Sequence, residues 1–251
     1  DKAIIHNENR TISKHFLEKN KSAIQIAGSD PQEIKRTINI LNRIDIIKHV
    51  NFNLGCPSSR VQENMLGLAL TQNYDLVKKC LFELINYKHE VSVKCRLGLG
   101  MSEDKNYIFS YLNLFKDIGI KKVFIHCRNG VLNLDTKKNR TIPQINYELF
   151  LECSKKFPEM ELIPNGEVNN LDTFNSFKSK NINKYMIGRQ FAKDALFLEK
   201  LKLEKINDKT SSVLDSIKEL DNYKYLNINL LKKSLFTLIN NISNSKGIKK
   251  D

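Results

Sequence analysis

The sequence predicts a TIM-type (β/α)8 barrel, and two observations carry that expectation. Short β-like runs recur at 23–27, 50–54, 91–95, 122–126, 161–164 and 184–187, and segments with apolar residues at helical spacing separate them. Repeated βα units imply a parallel sheet. Several of these strands also end in side chains with chemistry to offer, the arrangement of a barrel whose site lies at the carboxyl ends of its strands. A doubly wound sheet would instead carry a glycine-rich turn after its first strand, and neither GxGxxG nor a GxxxxGKS or GxxxxGKT segment is present. A closed barrel needs eight strands and six can be counted, so two strands are expected to be missing at the amino end. After residue 193 the rhythm stops, and 214–220 and 226–242 read as helices with apolar stripes. The expected organisation is a catalytic barrel over 1–192 and a helical region over 193–251.

The first run carries Gln25, and Ser29-Asp30-Pro31 is a helix start that opens the periodic segment 31–48. In the second run Val50, Phe52 and Leu54 alternate as a half-buried strand does; Gly55 then permits close backbone approach and Pro57 stops the strand. Cys56 is thereby placed at a strand's carboxyl end. Cysteine is commonly a small core residue, but Asn53, Ser58, Ser59 and Arg60 surround this one with polar groups that an inert thiol would not require. Helical spacing over 75–87 precedes the third strand, where Lys94 stands between Val93 and Cys95 and is followed by Arg96. A lysine inside a buried parallel strand is costly unless it meets an anion. Periodic segments at 103–118, 146–157 and 171–179 separate the remaining strands, which end in His126 with Arg128, in Asn165-Gly166, and in Gly188-Arg189.

Composition bounds the function less sharply. Of 251 residues, 41 are Lys or Arg and 28 Asp or Glu, a formal net charge of +13, which suits a protein that meets phosphate backbones. The abundant Lys, Asn and Ile are also what an AT-rich genome would give. Within 121–143, Lys121, Lys122, Arg128, Lys137, Lys138 and Arg140 face the single acid Asp135, a candidate clamp for RNA phosphates and otherwise a solvated loop. The five cysteines have no CxxC or Cys/His ligand spacing and are odd in number, which argues against a metal site and a disulfide framework and for a reducing cytoplasm. No apolar run approaches a membrane span, and Asp1-Lys2 lacks the form of a secretory signal. The chain starts without methionine, as a fragment or a processed product would. A monomer is the default expectation.

Several motifs occur in a fixed order: Gln25-Ile26-Ala27-Gly28-Ser29-Asp30-Pro31, Asn53 to Arg60 continuing through Val61-Gln62, Val93-Lys94-Cys95-Arg96-Leu97-Gly98, Ile125-His126-Cys127-Arg128, Asn165-Gly166 and Ile187-Gly188-Arg189. On these the chain resembles the flavin-dependent tRNA-dihydrouridine synthases over nearly all of residues 3–192. Lys137-Lys138-Asn139-Arg140-Thr141-Ile142-Pro143-Gln144-Ile145-Asn146-Tyr147 and Ala3-Ile4-Ile5-His6 resemble the DusA branch, which acts on uridines 20 and 20a of the tRNA D-loop. The family's first strand, with its Ala-Pro-Met flavin contacts, and its second fall before Ala3. The carboxyl-terminal region, with Lys232-Lys233 and 246–250, is shorter than is usual in the family and would be part of a tRNA-binding domain.

The resemblance implies FMN as cofactor, NADPH as hydride source and tRNA as substrate. Reduced FMN would give hydride to C6 of uracil while Cys56 gives a proton to C5. An ordinary thiol with a pKa of about 8.5 is mostly protonated at neutral pH and can serve as that donor. Gln25, Lys94 and His126 would contact the flavin ring, with Lys94 stabilising negative charge near N1. Asn165, Gly166, Gly188 and Arg189 would hold its phosphate through backbone N–H groups and one cation; Glu167, where many relatives have glycine, should point away from it. Asn53, Arg60, Arg96, Arg128, Lys138 and Arg140 would meet the RNA, Asn53 by amide hydrogen bonds to the uracil edge. A loop nucleotide leaves its stack more cheaply than one in a duplex. Two rivals stand beside this reading: an FMN barrel oxidoreductase acting on a small pyrimidine, and a non-catalytic RNA-binding remnant.

Overall fold

The computed structural model describes residues 2–6, 23–193 and 197; the side chains of Ala3, Arg60 and Ala192 lie outside the described residues, as do the helices expected at 214–220 and 226–242. The chain divides into two compact units, Asp1–Gly166 and Glu167–Asp251.

The first unit holds α1 (Lys2–His6), β1 (Ala23–Ile26), α2 (Pro31–Leu41), β2 (His49–Asn53), α3 (Ser59–Glu63), α4 (Tyr74–Leu84), β3 (Glu90–Arg96), α5 (Lys105–Ile118), β4 (Lys122–His126), α6 (Tyr147–Lys156) and β5 (Glu161–Asn165), with 3-10 turns at Ala69–Gln72 and Lys138–Arg140. The five strands form one parallel sheet in the order β1-β2-β3-β4-β5. Sequential order with right-handed crossovers puts every connecting helix on the same face. This is the wall of a TIM-type α/β barrel, and among the described residues it does not close.

Local chemistry sets the helix starts. Asp30, Asn73, Asp104 and Asn146 each accept a hydrogen bond from a backbone N–H two or three residues ahead, at 2.8–3.0 Å. Helix α2 is shorter than the periodic segment 31–48. Asn42 ends it by reaching across to the turn after α4, its Nδ2 donating to the Asn86 carbonyl at 3.0 Å and its Oδ1 accepting from Lys88 N–H at 2.9 Å.

Period-2 alternation separates the two sheet faces. Ile26, Val50, Phe52, Val93, Cys95, Val123, Ile125 and Leu162 are buried and form the face that the helices cover. The opposite face, the interior of a barrel, is built in register-matched layers. Gln25, Asn51, Ser92, Lys122 and Glu161 form one layer; Asn53, Lys94, Phe124 and Ile163 the next; Arg96, His126 and Asn165 the one at the carboxyl ends. Gln25 Nε2 donates to Asn51 Oδ1 at 2.6 Å, and Asn51 Nδ2 to Ser92 Oγ at 2.8 Å. Below them His49 Nε2 lies 2.6 Å from Ser92 Oγ.

The second unit contains α7 (Leu171–Lys178) and α8 (Arg189–Lys193). The sixth strand expected at 184–187 is absent among the described residues, where Met186 carries only a single bridge. Tyr185 turns its ring onto Phe174 and Phe177 of α7, at 5.1 and 5.6 Å, and its hydroxyl donates to the Ile182 carbonyl. The segment is thereby packed against the helix that precedes it.

Candidate active site

Burial distinguishes the cysteines. Cys80, Cys95, Cys127 and Cys153 are buried, while Cys56 is half-exposed; burial pushes the Cys80, Cys95 and Cys153 thiols up to about 12. Cys56 is the thiol that a substrate can reach. Its turn is made by Asn53, whose Oδ1 accepts from both Gly55 N–H and Cys56 N–H at 3.1 Å. Asn53 Nδ2 points to Gln25 Oε1 at 3.4 Å, so its amide oxygen shapes the turn and only its amino group remains for a ligand. The Cys56 Sγ donates to Ser58 Oγ at 3.5 Å, and the Cys56 carbonyl accepts from Leu68 N–H at 3.1 Å. Gly67 closes this loop with φ 56; a Cβ there would meet the Cys56 carbonyl at 2.7 Å.

Arg96 ties the cysteine turn to the loop after β4. Its Nε donates to the Gly55 carbonyl at 2.9 Å and its Nη1 to the carbonyls of Asn129 and Asn139 at 2.8 and 3.2 Å. It is 6% exposed, and burial, then the Arg128 charge, pull its pKa down to about 10. Arg128 is 3% exposed and donates to the carbonyls of Thr141 and Pro143. Arg96 and Arg128, two of the four arginines expected to touch RNA, are thus set into the loop scaffold. Lys137, Lys138 and Arg140 are exposed. Lys122 lies at the other end of its strand, paired with Glu90 and with Glu161 at 3.4 Å, so it belongs to no phosphate clamp. Arg60 is the second residue of α3, its side chain outside the described residues.

One organising residue had no sequence signal beyond its type. Asn139, fully buried among exposed cations, donates from Nδ2 to the carbonyls of Val131 and Leu134 at 2.8 and 2.9 Å and accepts from Val131 N–H at 2.8 Å. It knots the basic loop so that its neighbours Lys138 and Arg140 project outward.

Lys94 is half-buried, and burial, reinforced by the Arg96 charge, pulls its pKa down to about 8. No ion pair among the described residues includes it. His126 is half-buried in the layer of Arg96 and Asn165. Gly166 has φ 115, and a Cβ there would meet Ile145 Cδ1 at 2.8 Å and His126 Nε2 at 3.3 Å. A desolvated cation with no acid partner among the described residues, an exposed amide at Gln25 and a tightly packed glycine beside an imidazole fit the electron-rich, hydrogen-bonding edge of a flavin. In the second unit Gly188 and Arg189 are exposed and nothing lies within 4 Å of the Gly188 Cβ position; Glu167 is exposed with φ 51. Among the described residues there is no His, Cys, Asp and Glu group that could hold a metal, and no helix long and apolar enough to cross a membrane.

A barrel wall with a half-exposed thiol, a desolvated lysine and a histidine at its strand ends defines a TIM-type α/β protein with titratable side chains gathered at the carboxyl ends of its strands. The family model described as Dihydrouridine synthase (Dus) matches residues 1–249, and the chain belongs to that family. It is 28% identical over 172 residues to the tRNA-dihydrouridine(20/20a) synthase of Pseudomonas putida, covering 68% of this chain and 51% of that protein. The namesake enzyme of Pasteurella multocida is 30% identical over 155 residues, covering 61% and 47%, and that of Synechocystis 28% over 189 residues, covering 74% and 56%. The chain spans about half the length of these curated relatives. A solved structure of morphinone reductase in complex with tetrahydroNAD aligns at TM-score 0.46 and 12% identity, covering 71% of this chain and 50% of that one.

Proposed function

We propose that this chain carries the catalytic barrel of a tRNA-dihydrouridine synthase that reduces the uracil C5=C6 bond at D-loop positions 20 and 20a. The observation that carries the reading is the single reachable thiol, held by Asn53 on a turn beside Lys94 and Arg96; family membership and the relatives' names support the substrate. Bound FMN, reduced by NADPH, would supply the hydride that goes to C6.

The chain's own residues do the rest. The Cys56 thiol gives its proton to C5, and the charges of Lys94 and Arg96 face the thiolate that remains. Lys94, with no acid of its own, offers its charge to the flavin's electron-rich edge, while Gln25 and His126 hydrogen-bond to the ring. Asn165 and Gly166 are phosphate contacts that the family pattern implies. Asn53 orients the cysteine turn and has an amino group left for the uracil edge. Arg96 and Arg128 position loops, and Lys138 and Arg140 meet phosphates, with residues 193–251 adding tRNA contacts. The protein works as a cytoplasmic monomer.

Dihydrouridine formation in unmodified tRNA, measured with the purified chain, FMN and NADPH, tests this reading. Dihydrouridine at position 20 or 20a is the expected product. Turnover of free uracil or dihydroorotate without any product in tRNA would overturn it in favour of a small-pyrimidine oxidoreductase.

A further inference from the structure

The loop after β2 and the loop after β4 enclose a cleft of about 560 Å³ next to Cys56, within the range of small-ligand sites. Helix α3 contributes Ser59, Gln62 and Glu63; the facing turn contributes Asn133, Asp135 and Thr136. Ser58, which accepts from the Cys56 thiol at 3.5 Å, also lines it. The walls are tied together: Gln62 donates from Nε2 to the Pro57 carbonyl at 2.7 Å and accepts at Oε1 from Asn133 N–H at 3.3 Å. Asp135 is fixed by Lys138 N–H at 2.7 Å, and this bond holds its carboxyl below the ordinary range.

Charge is divided across the cleft. Hydroxyls, amides and two carboxylates line the inside, whereas Lys137, Lys138 and Arg140 stand exposed just beyond Asp135. An anion is repelled from the interior and drawn to the rim, and a neutral sugar and base find hydrogen-bond partners within. From this division we infer that the cleft is a second nucleoside subsite, holding the RNA residue next to the uridine at Cys56, with its phosphate on the Lys137–Arg140 rim. Glu63 is exposed and forms no ion pair among the described residues. An ionised carboxylate only accepts hydrogen bonds; an exocyclic amine offers it N–H donors, whereas the uracil N3–H is flanked by two carbonyl acceptors that repel it, so cytidine, adenosine or guanosine is favoured over uridine as the neighbour. The inference rests on the synthase reading for the identity of the reacting base.

The test is fluorescence anisotropy of labelled RNA pentamers with a central uridine and varied neighbours, bound to the whole chain and to Ser59→Trp, Thr136→Trp and Glu63→Gln. Either tryptophan fills the cleft and is expected to weaken binding about tenfold, the effect of about 1.4 kcal/mol; Glu63→Gln is expected to erase the preference for amino bases. Two walls are probed so that a folding defect at one leaves the other informative, and the near-isosteric glutamine decides if neither tryptophan variant folds. Unchanged binding by the cleft variants, no neighbour preference in the wild type, or no RNA binding at all overturns the inference. Dihydrouridine formation on a tRNA transcript separates the two readings. Product with indifferent cleft variants removes the subsite alone, whereas neighbour-selective binding without product removes the synthase alone.

Discussion

The loop after β2 and the loop after β4 both leave carboxyl ends of the same sheet, yet they use polar residues in opposite ways. The first is stitched by a neutral amide, Asn53, and presents one half-exposed thiol. The second buries a guanidinium and an amide, Arg128 and Asn139, and presents three cations. Arg96 joins them by donating to carbonyls in both. A cation near backbone carbonyls becomes a strut, because burial without partners would be prohibitive; one beyond their reach stays in water and is free for phosphates. The half-exposed thiol and the exposed cations thereby sit on different loops with one shared tie.

Breaking that tie has the largest expected effect. Arg96→Ala removes three charge-assisted hydrogen bonds and leaves carbonyls of both loops unsatisfied, for a loss of about 3 kcal/mol. Arg96→Lys, lacking the planar fork, recovers little of it; urea unfolding measures both, and equal stability of Arg96→Ala and wild type would refute the strut. Changing the exposed cations leaves stability alone and acts on RNA. Lys138→Ala with Arg140→Ala is expected to weaken tRNA binding about tenfold and to lower the slope of log affinity against log salt by about two; an unchanged slope would remove them from the phosphate contacts.

Lys94 gives a subtler effect with a definite sign. Its folded-state pKa of about 8 lies below the ordinary 10.5, so it is charged below about pH 8 and neutral above. Stability withheld by the buried charge returns as pH rises from about 8 toward 10.5, and affinity for the electron-rich ring edge falls over the same window. FMN titrated by fluorescence quenching should bind progressively more weakly above about pH 8, approaching about tenfold per pH unit. Lys94→Met should bind weakly at all pH values, and a flat wild-type profile would show that the charge is not used.

Much of this division was hidden in the sequence. The strand positions were legible because alternation and length specify a half-buried strand, and Cys56 because a thiol beside Asn53, Gly55 and Pro57 has to sit on a turn. The six cations of 121–143 read as a single run, since nothing in spacing distinguishes Arg128, folded inward onto Thr141 and Pro143, from Arg140, folded outward. Asn139 was equally silent: its value lies in three carbonyls that only the folded loop brings together. At 184–187 the alternation is too short to specify a full strand, and among the described residues only Met186 carries a bridge there.

The most direct measurement is single-turnover reduction of tRNA by the flavin-loaded chain with Cys56→Ala, with FMN and tRNA affinities measured on the same preparation. Both affinities are expected to stay near wild type while dihydrouridine formation falls by about a hundredfold or more, the scale of a lost general acid. Near-normal formation of dihydrouridine by Cys56→Ala would contradict the central role given to this thiol.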